Sequence, residues 1–153
     1  MSQLGSSDVH LPSGIRYRVV MKISLDGGTA TYRILSYSPG QIVVNDQTLT
    51  HSVVVMPEQL ILDWPPQSFE ELATAHFAQL ANLRPEIALI GTGAKIRFPS
   101  PALLAPLYDV GIGAEVMDTG AACRTYNILM AEGRSVAVAL LMIEMGTNQN
   151  LPD

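Results

Sequence analysis

The sequence predicts an α/β domain in which a β-rich N-terminal layer docks on a βαβαβ unit. Three observations carry this. Four short runs rich in β-branched and aromatic residues lie between 31 and 64, separated by turn residues. After Pro65-Pro66 the pattern changes to helical segments alternating with short apolar strands. The run from Ser135 to Ile143 is apolar on both faces, as a central strand covered on two sides must be.

The elements follow in order. Residues 1–20 are rich in Ser, Gly and polar residues and read as a flexible tail, with Met21, at the head of MKISLDGG, a second possible start. The single α/β domain is expected over 21–145, with 146–153 as a frayed C-terminal tail. TYRILSY at 31–37, QIVVN at 41–45, SVVVM at 52–56 and LILDW at 60–64 suggest hairpins or a meander. Ser68-Phe69-Glu70-Glu71 matches a capping box, so a helix is expected from there, burying Phe69, Leu72, Ala73, His76, Phe77 and Leu80 and ending before Arg84-Pro85. Ile87 to Ile90 is a strand that runs into Gly91-Thr92-Gly93. Ser100-Pro101 opens a helix that exits at Gly111, and Ile112 to Met117 is the next strand. A helix from about Gly120 to Glu132 follows, with Ala122, Tyr126, Leu129 and Met130 on one face and Gly133 as its stop.

Composition narrows the function. With 153 residues, 48% of them hydrophobic and only 15% charged, the chain suits one core, and the shortage of charge suggests a partner or a homo-oligomer covering apolar surface. Fourteen acids against nine bases give a net charge of −5 with no basic cluster, which argues against a nucleic-acid partner. Cys123 stands alone, so neither an internal disulfide nor a multi-cysteine metal site is available, and a reducing compartment is expected. No apolar stretch is long enough for a membrane span, and the first twenty residues resemble neither a signal nor a transit peptide. A cytoplasmic location is expected.

Chemistry, if any, should gather where the parallel strands end, in the crevice between Gly91-Thr92-Gly93 and Asp118-Thr119-Gly120. Asp118 or Thr119 can cap the helix. On the helix face lacking large apolar groups, Gly120, Arg124, Asn127 and Ala131 recur at helical spacing, so Arg124 and Asn127 could offer a guanidinium fork and an amide to an anion or a partner. Alternatively, Arg124 ties its own loop to Asp118 or to a carbonyl. GTGAKI lacks the third glycine of a dinucleotide loop, and no helix follows it directly, so no nucleotide cofactor is expected. Cys123 reads as an inert core residue. His10, His51 and His76 match no zinc spacing, and no metal site, nucleophile elbow or phosphate loop is present. Asp63, Glu70 and Glu71 are explained by capping and solvation.

The ordered set Ser36-Tyr37 through Gly40, Trp64, Gly91-Thr92-Gly93, Gly111, Met117-Asp118-Thr119, Ala122 to Asn127 and Glu132-Gly133-Arg134 resembles the domain-of-unknown-function family that includes the mitochondrial NADH dehydrogenase (complex I) assembly factor 3 and its bacterial and archaeal relatives. The likeness spans about residues 21–145. It implies a three-layer α/β fold with a mixed central sheet and an additional β layer, and a noncatalytic assembly role through a protein partner; it does not imply an enzyme, and neither catalytic residues nor a cofactor are expected. By the same resemblance Thr92 and Gly93 match the family's glycine loop, and Asp118, Thr119, Arg124, Thr125 and Asn127 match its strand-to-helix junction; these seven are the candidate binding residues. The function expected is that of a noncatalytic interaction or assembly-factor-like protein of the bacterial cytoplasm. The alternative is a small-molecule or anion-binding protein, possibly an enzyme, using the strand-end edge near Gly93 and Arg124.

Overall fold

A computed structural model describes residues 31–146, together with the backbone of residues 5–10 and 16–21. The expected C-terminal tail beyond residue 146 lies outside the described residues. In chain order the elements are β1 (Gly5–His10), β2 (Arg16–Met21), β3 (Ile34–Ser38), β4 (Gln41–Val44), β5 (Gln47–Leu49), β6 (Val53–Met56), β7 (Gln59–Ile61), a 3-10 turn (Phe69–Glu71), α1 (Thr74–Asn82), β8 (Ile87–Gly91), α2 (Pro101–Tyr108), β9 (Gly113–Met117), α3 (Thr119–Ala131) and β10 (Val136–Leu140).

The strands form a mixed seven-stranded sheet, ordered β1-β2-β7-β6-β10-β8-β9, and a separate antiparallel sheet of β3, β4 and β5. In the large sheet β10 runs parallel to β8 and antiparallel to β6, and β9 runs parallel to β8. Every residue of β10 is buried. Its alternate side chains serve two cores: Val136, Val138 and Leu140 meet α3 and the small sheet, while Ala137 and Ala139 meet α1 and α2. The three-layer α/β architecture is therefore present, with α1 and α2 on one face of the central sheet and α3 with the small sheet on the other.

Three details differ from the sequence reading. β6 and β7 belong to the central sheet and not to the N-terminal layer: Val53 and Val55 face one core and Val54 the other, a two-sided burial available only inside the large sheet. β1 and β2 occupy residues that the sequence reading gives to a tail, with Val19 and Val20 of β2 registered against Ile61 and Leu60. The capping box at Ser68 does not form. Leu72 turns extended to bury its side chain, so the helix begins later, where the His76 ring Nδ1 accepts from the Ala73 N–H at 3.0 Å. Glu71 accepts instead from the Gln67 N–H.

The small sheet owes its position to one irregularity. Ile34 pairs with Val44 and Tyr37 with Ile42, with a register shift between Ile34 and Ser36. Residues three apart point to opposite faces of a regular strand; the extra residue, Leu35, lets Ile34 and Tyr37 both turn toward α3. Leu35 itself is left exposed.

Candidate functional site

The strand-end edge is built around two threonines. Thr119, fully buried at the first turn of α3, donates its backbone N–H to the Gly93 carbonyl at 2.9 Å. Its hydroxyl accepts from the Gly93 N–H at 2.8 Å and donates to the Leu141 carbonyl at 2.7 Å. One side chain thus ties the exits of β8 and β10 to the start of α3. Thr92 shapes the following loop: its hydroxyl donates to the Lys95 carbonyl at 2.8 Å and accepts from the Arg97 N–H at 3.0 Å, and its N–H donates to Met117. Arg97 then pins the loop, lying 4.1 Å over the Phe69 ring and pairing with Glu70 at 2.9 Å.

Both loop glycines are sterically required. A Cβ on Gly91 would lie 3.0 Å from the Thr119 Cα, a backbone atom that cannot move aside. Gly93 has φ +101°, and its missing Cβ leaves room for the Glu144 carboxylate, which accepts from the Ala94 N–H at 2.7 Å. Asp118 caps α3 as expected, its Oδ1 accepting from the Ala121 N–H at 2.8 Å.

The other candidate residues point toward the small sheet. Arg124 takes neither of the partners expected for it: its Nη1 donates to the Tyr37 hydroxyl, and the guanidinium carbon lies 5.9 Å from that ring. The ring packs on Gly120, where a Cβ would lie 2.8 Å from Tyr37 Cε1. Asn127 accepts from the Ile34 N–H at 3.0 Å and donates to the Ile34 carbonyl at 2.7 Å. Thr125 is half-buried on α3 between them. Thr92, Gly93, Asp118 and Thr119 therefore gather at the strand ends, whereas Arg124 and Asn127 seam α3 to β3. Tyr126 adds to the seam by donating its hydroxyl to the Tyr32 carbonyl at 2.8 Å.

Sequence reasoning passed over Tyr37 and Glu144 as site components. Nothing local in the sequence pairs Tyr37 with Gly120 or with Arg124, 87 residues away, and nothing local marks Glu144. Cys123 is 1% exposed in the core below the junction, and burial pushes its thiol up to about 12. An open groove of about 1130 Å³ lies near the far end of α3, lined in part by Asn127, with Met56, Pro57 and Met130 among its apolar residues and Arg33, Glu58 and Arg134 among its charged ones. Arg134 pairs there with Glu86 at 3.1 Å. Among the described residues no helix is long and apolar enough to cross a membrane.

Fold and site together define a mixed-sheet, three-layer α/β domain whose strand-end polar groups are engaged in holding its layers together. The chain belongs to the family described as protein of unknown function (DUF498/DUF598), whose profile matches residues 34–141. It is 33% identical over 114 residues to the NADH dehydrogenase [ubiquinone] 1 alpha subcomplex assembly factor 3 of Bos taurus, a match covering 73% of this chain and 61% of that one. A crystal structure of a Bordetella parapertussis protein superposes with a TM-score of 0.71 at 43% identity, covering 74% of this chain and 98% of that one. The solution structure of a Bordetella pertussis protein described as an Mth938-like domain gives 0.69 at 34% identity, covering 87% and 99%.

Proposed function

We propose that the chain is a noncatalytic, protein-binding module of assembly-factor type, working in a bacterial cytoplasm. The observation that carries the reading is a division of labour between polar side chains turned to the fold and apolar ones turned to solvent. Thr92, Gly93, Asp118, Thr119, Arg124 and Asn127 make hydrogen bonds within the fold. Four of the seven large apolar side chains exposed among the described residues lie just before α2 (Ile96, Phe98), at its last residue (Tyr108) or just after it (Val110). Exposed apolar groups concentrated in one stretch of chain, residues 96–110, suit a macromolecular partner better than a small polar ligand. The matched animal proteins are named assembly factors of NADH dehydrogenase, which supports a partner within a respiratory complex.

The test is a graft. Residues 31–146 replace the matching part of the animal assembly factor, and the chimera is expressed in animal cells lacking that factor. Return of assembled complex I on native gels, with NADH oxidation, is the expected result. A stable, correctly targeted chimera that restores neither would overturn the reading.

A further inference from the structure

β9 ends the large sheet, and among the described residues its only neighbour is β8. The Met117 carbonyl accepts from the Thr92 N–H, and Met117 registers with Gly91. In a parallel pair, alternate residues face alternate sides, so Gly113, Glu115 and Met117 turn their backbone groups to β8, while Ala114 and Val116 turn theirs outward. Such an edge is a template for a further strand.

The two faces of this edge differ in chemistry. On one, Ala114 and Val116 pack with the core beneath α1 and α2, and α2 lies against β9. α2 reads PALLAPLY, with no charged residue, yet only Leu104 and Leu107 are buried; Tyr108 at its end is 52% exposed and Val110 just beyond is 62% exposed. A helix apolar all round is normally covered all round. On the other face Glu115 is exposed. From Arg97 to Arg124 the chain has no intervening lysine or arginine, but it does have Asp109, Glu115 and Asp118.

We propose that the β9 edge receives an extended segment of a partner protein as an added strand, with apolar side chains on the α2 side alternating with lysine or arginine on the α3 side. The charge pattern selects this occupant over a second copy of the chain, because β9 against β9 brings two acidic strands together and, centred on Glu115, sets two carboxylates opposite each other. Main-chain pairing supplies attachment and the alternating side chains supply selection. The inference rests on the protein-binding reading and names its surface and the partner's chemistry.

The probes are two blocked, dye-labelled peptides of about seven residues, one alternating valine with lysine and the other valine with glutamate, titrated into the full chain at low salt. The lysine peptide should bind about five- to tenfold more tightly, and Glu115→Lys, at an exposed site, should reverse the preference. Ala114→Pro removes an outward N–H without touching the bonds to β8 and should abolish binding of both peptides while the melting curve stays cooperative. If that variant does not fold, the Glu115→Lys reversal decides alone. Equal binding of the two peptides, no binding of either, or a preference unchanged in Glu115→Lys overturns the proposal. So does a concentration-dependent dimer in sedimentation that Ala114→Pro dissolves, which would assign the edge to a second copy. A chimera that restores complex I even with Ala114→Pro removes the edge but leaves the assembly role standing; a chimera that fails while the peptide reversal holds removes the role but leaves the edge.

Discussion

Asn127→Ala tests whether the seam between α3 and the small sheet holds the fold together. The wild-type amide accepts from the Ile34 N–H at 3.0 Å and donates to the Ile34 carbonyl at 2.7 Å, and both bonds are partly buried. Two such bonds contribute about 0.5–1.5 kcal/mol each, and stranding the two backbone groups raises the cost, so the expected loss is about 2–3 kcal/mol. For a chain of this size that lowers Tm by about 4–12 °C. Urea unfolding followed by Trp64 fluorescence gives the loss, and amide exchange should quicken first in β3. Asn127→Asp keeps the acceptor but sets a carboxylate against the Ile34 carbonyl, so at neutral pH it should destabilise at least as much. A loss below about 0.5 kcal/mol with an unchanged urea slope would refute the argument, since the small sheet would then be held by apolar packing alone.

Gly93→Val should cost at least about 1 kcal/mol, because φ is +101° and a Cβ there meets the Glu144 carboxylate; a wild-type melting curve would count against the loop geometry. Asp118→Ala should cost about 1 kcal/mol through the lost cap, while Arg124→Ala, which removes an exposed contact to Tyr37, should stay within about 0.5 kcal/mol in the same melts. The Cys123 thiol has an ordinary value of 9.0 and is pushed up to about 12 by burial, so the folded state keeps a proton that the unfolded state loses. That stabilisation is complete below pH 9 and falls as pH rises toward 12, by up to about 1.4 kcal/mol per pH unit. Urea unfolding between pH 8 and 10 should show the slope and Cys123→Ala should flatten it, and the native thiol should resist an aromatic disulfide reagent at pH 8.

The elements easiest to foresee were those whose signals are local. Asp118 before small residues, Gly133 after Ala131 and Glu132, and the doubly apolar Val136 to Leu140 all sit where periodicity and end chemistry placed them. β5 escaped because Gln47-Thr48-Leu49 is short and mostly polar, and it is a strand only because Val44 and Ile42 pair with it. Ser68 and Glu71 had the right spacing for a box, but the burial of Leu72 outweighed it. The candidate residues were the right ones to notice, yet their partners were hidden: Asn127 meets a backbone 93 residues away, across a seam that exists only because Leu35 is an extra residue. Pattern reasoning sees the face of a helix and not the strand that covers it.

The position of β10 bears on how the chain can be made. Among the described residues it is the last of ten strands in sequence, yet it sits between β6 and β8 and joins the two halves of the large sheet. During synthesis Val53, Val54 and Val55 emerge long before the strand that shields them, and β8 waits for the same neighbour. Neither half of the large sheet can close before Val136 to Leu140 leaves the ribosome, so folding of this chain is a late event that follows translation of nearly all of its core. A ribosome that stalls within α3 would release a product that carries the sequence of every earlier described strand but leaves the central position vacant, a substrate for chaperones and proteases and not a smaller working domain.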